Sequence, residues 1–230
     1  MNASFVVLLL GLLVGLRHSF EPDHLTAIGN LVVETRDARR GALLGAMWGL
    51  GHTLSLLVVG IVLLAVGAAI PVSVSAWFEC AVGAMLVMLG ALSIHRALRE
   101  GSAGAILRHR HGGREHEHAT GAPHVHVGRT AFAWRPLVIG LVHGLAGSGA
   151  LTALVFAELP GTATRVAYLT LFGAGSIAGM AIASGIAGAS LGRIAGSTRT
   201  RQFLALGTGA VSIVVGIVWA IPMIRIATGA

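Results

Sequence analysis

The sequence predicts an all-α membrane protein whose six transmembrane helices form two inverted three-helix repeats. Hydrophobic residues make up 55% of the chain, charged residues only 11%, and the mean hydropathy is +0.82. Apolar runs long enough to cross about 30 Å of hydrocarbon recur along its length. Similar motifs also recur in the two halves of the chain. These observations exclude an ordinary soluble domain, which carries about twice this share of charged residues.

Six apolar segments are long enough to be spans. They divide the chain into a first repeat (1–98), a His-rich cytoplasmic loop (99–131) and a second repeat (132–230). The predicted spans, with ends placed to within a few residues, are 4–29, 41–69, 73–97, 132–158, 165–190 and 202–225.

The first span carries a group of ionisable residues in the stretch GLRHSFEPDHLTAI, Gly15 to Ile28. Such groups are costly at membrane depth and usually face a cavity on an ion or substrate path. His18 and His24 are six residues apart, so on a straight helix they would point about 120° away from each other. Pro22 cannot donate a hydrogen bond to the carbonyl of His18, and its ring crowds that carbonyl. We therefore predict a broken span that turns His18, Asp23 and His24 inward.

Two imidazoles and a carboxylate are characteristic ligands of a transition-metal ion. His52 in the second span and His143 in the fourth lie at a similar depth, near mid-membrane. The alternative is that these histidines only form hydrogen bonds between helices. We predict a metal site with His18, Asp23, His24 and His52 as ligands and His143 as a weaker fifth.

The stretch RHSFEPDHLTAI resembles the H-x4-D-H block that selects the metal in the nickel/cobalt transporter family. WGLGHTLSLLVVG, Trp48 to Gly60, looks like that family's Gly-His-Ser/Thr helix. In place of the aspartate-bearing third block of larger members stands GLVHGLAGSGALTAL, Gly140 to Leu154. This version is similar to the short six-span branch, often labelled urease-accessory or nickel-permease-like.

The resemblance implies a permease for Ni²⁺ or Co²⁺ in a bacterial inner membrane, without a cofactor and without enzymatic activity. It leaves open both the metal and the direction of transport, so an exporter of the same fold is an alternative. It also implies cytoplasmic partners, such as a metallochaperone or metalloenzyme maturation proteins. By ligand type alone, Ni²⁺, Co²⁺, Cu²⁺ and Zn²⁺ all fit, whereas the lack of Cys and Met ligands argues against Cu⁺.

Arginine placement predicts the orientation. The chain has no lysine, and its arginines concentrate in the first, third and fifth connections. The positive-inside rule makes these loops cytoplasmic and places both termini outside. We therefore assign the net charge of +7 to membrane topology. The expected partners are the lipid bilayer and a divalent metal ion, with no role for nucleic acid.

The two halves share a motif: GLRH beginning at Gly15 returns as GLVH beginning at Gly140. LTA beginning at Leu25 returns at Leu151. Since each half has an odd number of spans, the halves must face opposite ways. Inverted repeats with broken helices at corresponding positions bind their substrate at the repeat interface. We therefore predict that the fourth span is also discontinuous.

Four further residues are weaker candidates for the transport path. Arg17 could pair with Glu21 or Asp23, and Ser148 or freed carbonyls around it could complete the path. Ser176 is interpreted mainly as a helix-packing residue. Glu79 lies near the outer boundary of the third span, where it could attract cations to the entrance, but an ordinary span end is the favoured interpretation.

The loop between the third and fourth spans contains three His-x-His pairs. Its composition predicts an irregular loop that captures metal weakly, although a solvated linker is the alternative. The six histidines are His109, His111, His116, His118, His124 and His126.

An intramembrane hydrolase is the main alternative from another class. The zinc-protease motif H-E-x-x-H is absent. The last span has no histidine to activate Ser148 as a rhomboid-like protease would require. A zinc-dependent lipid hydrolase stays open, because open zinc sites also use three protein ligands and a water.

Overall fold

A bent pair of helices opens the fold. Helix α1 (Ala3–His18) and helix α2 (Pro22–Val32) meet at an angle of 56°. The computed structural model describes residues 3–33, 35, 37–67, 70–102, 108–111, 114–117, 126–127, 130–131, 134–194 and 197–229; side chains at 3–4, 100–133, 147–154 and 156–158 lie outside this description. The other helices are α3 (Ala38–Val66), α4 (Val72–Ser102), α5 (Trp134–Glu158), α6 (Thr162–Ile194) and α7 (Thr198–Thr228).

The break between α1 and α2 lies where the sequence predicts it. Pro22 occupies the first turn of α2, where its missing N–H is not needed, and Glu21 before it is extended. The N–H of Glu21 still bonds the carbonyl of His18 at 3.0 Å, in a turn that redirects the chain. The last residue of α1 and the first residues of α2 therefore lie side by side.

Four single helices are long and apolar enough to cross a membrane: α3, α4, α6 and α7. If the bent pair of α1 and α2 is counted as one span, the described residues contain five candidate spans. Helix α5 occupies the position of the predicted fourth span, but several of its side chains lie outside the description. The structure thus gives a multi-pass helical protein of membrane type, and six spans remain a prediction.

Helix α5 corrects one expectation, because it runs unbroken from Trp134 to Glu158 where a discontinuity is predicted. The position matching Pro22 in the second half is a glycine, Gly147. Glycine keeps its N–H and can stay helical, whereas proline cannot.

The connection between α4 and α5 holds short strands where an irregular loop is predicted. Strand β1 (Arg108–His111) pairs antiparallel with β2 (Arg114–Glu117), with His109 opposite His116. Strand β3 (His126–Val127) pairs with β4 (Thr130–Ala131). The alternation of residue types in RHRH and REHE has the period of two that suits a strand.

Glycines allow the helices to approach at backbone distance. A Cβ at Gly15 would collide with the carbonyl of Phe172, and one at Gly140 would collide with the carbonyl of Trp48. These two contacts join α1 to α6 and α5 to α3, and they occupy corresponding positions of the two halves. Helices α4 and α7 pack against each other antiparallel, with Gly83 near Gly216 and Gly90 near Gly209. Small residues at helix contacts are the usual means of close packing in a membrane.

Candidate metal centre

Asp23 lies at the centre of the site and contacts two imidazoles. Its Oδ1 lies 3.0 Å from Nδ1 of His24, and its Oδ2 lies 2.8 Å from Nε2 of His143. All three residues are buried, with relative exposures of 6%, 1% and 2% for Asp23, His24 and His143. Each carboxylate oxygen therefore holds one ring in a fixed orientation.

Two further imidazoles complete the cluster. The ring of His18 lies 4.5 Å from that of His24 and 5.3 Å from that of His52, measured between centroids. One ligand atom each from His18, His24 and His52 lies within 4.8 Å of the others. Asp23, His24 and His143 form a second such set. Metal–nitrogen bonds of about 2.0–2.1 Å require ligand atoms this close together.

The break in the first span brings these residues together. His18 is the last residue of α1, and Asp23 and His24 lie in the first turn of α2. An acidic side chain is favourable at a helix N-terminus, where backbone N–H groups are unpaired. His52 and His143 approach from α3 and α5, which are close because Gly144 leaves room for the backbone of His52.

Several ring nitrogens are available to a ligand. His24 Nε2, His52 Nδ1 and His143 Nδ1 are buried and hydrogen-bond no group in the part of the chain that the structure describes. Buried polar atoms are normally paired, so unpaired ones mark a functional group or a bound partner. A neutral imidazole with one nitrogen oriented by a carboxylate and the other free is the usual arrangement of a metal-binding histidine.

The cluster faces a cavity of about 420 Å³. Its lining residues beyond the cluster include Arg17 and Glu21 of the first span, Phe172 of α6 and Trp219 of α7. Glu79, near the start of α4, also lines the cavity and accepts a hydrogen bond of 2.9 Å at Oε2 from Trp219 Nε1, near the end of α7, so the cavity extends from the cluster toward this side of the helices. On α3, Leu56 lines it one turn beyond His52, toward the same side.

The opposite side of the cluster is closed by buried apolar side chains. The ring of Trp48, one turn before His52 on α3, lies 5.4 Å from both His24 and His143. Trp48 belongs to a buried cluster with Ile28 and Met180, among others. The site is therefore accessible from one side and sealed on the other.

The weaker candidates have different surroundings. Arg17 lines the cavity and is exposed, but Glu21 and Asp23 pair with histidines instead of with it. Glu21 Oε2 lies 3.0 Å from Nδ1 of His18. Ser176 is fully buried and donates to the carbonyl of Gly15 at 3.2 Å, so it packs helices and does not line the cavity.

Two sets of predicted residues lie outside the description. Ser148 is on α5, and its side chain is not described. The His-rich loop is described only as the backbone of its short strands, and His118 and His124 fall outside the described residues.

Sequence reasoning favoured an ordinary span end for Glu79 over attraction of cations at the entrance, and it missed Trp219; both residues line the cavity. Glu79 carries a detectable signal, because a carboxylate within an apolar span is costly and usually functional. Trp219 carries none, since tryptophan is common near both membrane interfaces. Phe172 is also missed, and its ring lies 5.4 Å from that of His18.

Comparison with known proteins identifies a relative along nearly the whole chain. No family model and no solved structure matches. The urease accessory protein UreH of Bacillus sp. (strain TB-90) is 30% identical over 217 residues, which is 92% of this chain and 89% of that protein. The relative is an accessory protein and not an enzyme, and the prediction that this chain is not an enzyme is confirmed on that basis. The chain belongs to the family of the urease accessory protein UreH.

Proposed function

We propose that this protein is an inner-membrane permease that moves Ni²⁺, with Co²⁺ as a second substrate, toward the cytoplasm. The observation that carries the proposal is the convergence of four imidazoles and one carboxylate at the closed end of a cavity. Ionisable groups at such a position mark an ion path. The relative is named a urease accessory protein, which agrees with the resemblance of the first span to nickel/cobalt transporters.

The donor set suits the proposed metal. Imidazole nitrogens bind late first-row divalent ions well, and the site offers nitrogen in excess of oxygen. Cu²⁺ would bind a flexible nitrogen site more tightly than Ni²⁺, so selectivity has to come from fixed geometry. Asp23 supplies that rigidity by holding His24 and His143.

The accessible side of the cavity supports uptake. The arginine-rich connections assign the sealed side of the cluster to the cytoplasm, and the termini to the outside. The cavity then opens outward, toward the source of imported metal. An outward-open cavity with an inner seal is one end state of alternating access.

The reciprocal helix contacts support an inverted repeat as the basis of that motion. The contact of Gly15 with Phe172 matches the contact of Gly140 with Trp48, and each of them joins the first half of the chain to the second. Ser212 Oγ also donates to the carbonyl of Leu86 at 2.7 Å, between corresponding positions of α7 and α4. Rocking one repeat against the other would exchange the open and sealed sides.

The test is uptake of ⁶³Ni²⁺ by cells that express the chain, compared with His18→Ala, His52→Ala and the matched control His95→Ala. His95 is an exposed histidine on α4 that does not line the cavity. We expect uptake above that of empty cells for the unaltered chain and the control, and background uptake for the two site variants. Accumulation below that of empty cells would mean export, and no change in any strain would refute nickel transport.

A further inference from the structure

We propose that the site holds two alternative metal positions that share His24, and that the ion steps from one to the other during transport. This inference rests on the proposed function and adds the route of the ion within the site. The outer position is formed by His18, His24 and His52. The inner position is formed by Asp23, His24 and His143. Each set of ligand atoms lies within 4.8 Å, whereas His52 and His143 are not members of one such set.

The distances argue against a single five-ligand site. Ligand atoms on opposite sides of one ion are at most about 4.2 Å apart when each bond is about 2.1 Å. Among the described residues, the ligand atoms come within 4.8 Å of one another only as two separate sets of three, and His52 and His143 never belong to the same set. Each three-residue set needs only a small contraction to bind an ion, whereas joining both sets would require the side chains of His52 and His143 to move toward each other.

His24 can serve both positions because its two nitrogens have different surroundings. Nδ1 lies 3.0 Å from Oδ1 of Asp23, within the inner set, so Asp23 orients this ring while the inner position is empty, and an ion that enters there takes the place of the proton between them. Nε2 is buried without a hydrogen-bond partner in the described part of the chain, and it is the nitrogen available to the outer set. Simultaneous occupancy would place two divalent ions on one ring, where their repulsion is strong. Occupancy therefore alternates.

The burial of the two positions indicates which of them an entering ion reaches first. The outer set includes His18, whose side chain is 16% exposed to the cavity. All three residues of the inner set are buried, and Trp48 packs against His24 and His143 on the sealed side. An ion entering from the cavity meets the outer set first and reaches the inner set next to the seal.

The two positions also differ in chemistry. The outer set offers three imidazole nitrogens, whereas the inner set offers two nitrogens and a carboxylate oxygen. A single ligand variant should therefore trap the ion in the position that remains intact. His143→Ala leaves the outer set complete, and His52→Ala leaves the inner set complete.

The experiment loads the purified full-length protein, in lipid nanodiscs, with one equivalent of Ni²⁺ alone and records X-ray absorption at the nickel edge. We expect three imidazoles among the nickel ligands of His143→Ala. We expect two imidazoles and a carboxylate in His52→Ala. Equilibrium dialysis of His143→Ala should give a Kd within about threefold of the unaltered protein, while its transport into proteoliposomes falls more than about tenfold. His24→Ala should lose binding in both positions, and His95→Ala should behave as the unaltered protein.

Identical nickel ligands in His52→Ala and His143→Ala, with equal losses of affinity, would overturn the two-position route in favour of one composite site. Unimpaired transport by His143→Ala would overturn it as well. Both results presuppose that the unaltered protein binds and moves Ni²⁺. Failure of the unaltered protein to do so would instead refute the proposed function, and with it the route.

Discussion

The carboxylate of Asp23, in the first half of the chain, contacts His143 in the second half, with Oδ2 of one residue 2.8 Å from Nε2 of the other. The two residues are 120 positions apart in the chain. The contact joins the broken first span to helix α5 of the second half. Asp23 contacts His24 through its other oxygen, so a single carboxylate sets the orientation of two rings.

Replacing Asp23 with asparagine should therefore weaken metal binding without unfolding the protein. Asparagine has the same shape but only one oxygen, so it can accept a hydrogen bond from only one of the two rings. Loss of a carboxylate that orients a metal-binding histidine typically costs about 10- to 100-fold in affinity. Equilibrium dialysis with ⁶³Ni²⁺ measures the change.

Glu21→Gln is the matched control for this substitution. Glu21 is half exposed and its carboxylate pairs with His18, so its loss should have a smaller effect. Equal losses of affinity in the two variants would contradict the central role of Asp23.

Pro22→Ala should abolish transport while leaving thermal stability unchanged or higher. Pro22 costs little in the first turn of α2, but it would cost about 3 kcal/mol inside a continuous helix, and alanine removes that obstacle to a straight first span. A straighter first span would turn His18 away from His24. Uptake of ⁶³Ni²⁺ and thermal unfolding in detergent measure the two effects. Normal uptake with Pro22→Ala would show that the break is not required.

Glu79→Gln should weaken capture of the ion at the cavity mouth. Glu79 and Trp219 line that mouth and hydrogen-bond to each other at 2.9 Å. Removing a negative charge lowers the local concentration of cations, so KM should rise about two- to tenfold with little change in maximal rate. Initial uptake rates over a range of Ni²⁺ concentrations measure both quantities.

Trp219→Phe separates this charge effect from packing. It removes the hydrogen bond to Glu79 but keeps the charge and most of the ring. KM should therefore change less than in Glu79→Gln. A larger change in Trp219→Phe would make the position a packing site rather than an electrostatic one.

Gly15→Ala should destabilise the fold, because the added Cβ would collide with the carbonyl of Phe172. Forcing extra volume into a packed contact costs about 1–3 kcal/mol. Gly207→Ala on α7 is the control, since a Cβ there would meet nothing within 4 Å. Alanine at that helical position should be neutral or should stabilise by up to about 1 kcal/mol. Thermal unfolding in detergent compares the stabilities of the two variants. Equal melting temperatures would contradict the close contact between Gly15 and Phe172.

The residues of the buried cluster could be predicted from sequence because ionisable groups stand out against an apolar background. H-x4-D-H around Pro22 predicts both the break and the inward turn of His18 and His24, and the structure brings these residues together with His52 and His143. Spacing along one helix, however, does not show which residues of other helices face the same cavity. Trp219 and Phe172 were missed for that reason.

The bridging position of Asp23 was also beyond the sequence. From residue type alone, a carboxylate can be either a metal ligand or a group that orients the ligands. The distances from Asp23 to His24 and His143 show that it orients both rings. The predicted break in α5 was wrong because the repeat of GLxH does not include a proline. A glycine at the corresponding position permits a break but does not impose one.

We expect the transported ion to bind in the buried cluster and not in the His-rich loop. Equilibrium dialysis of ⁶³Ni²⁺ against full-length protein tests it most directly, with all six loop histidines replaced by serine and with or without His24→Ala. We expect one tightly bound ion per chain in the loop variant and loss of that ion when His24 is also replaced. If the loop variant alone lost tight binding, or if tight binding persisted after His24 was replaced, the buried cluster would not be the site that holds the ion.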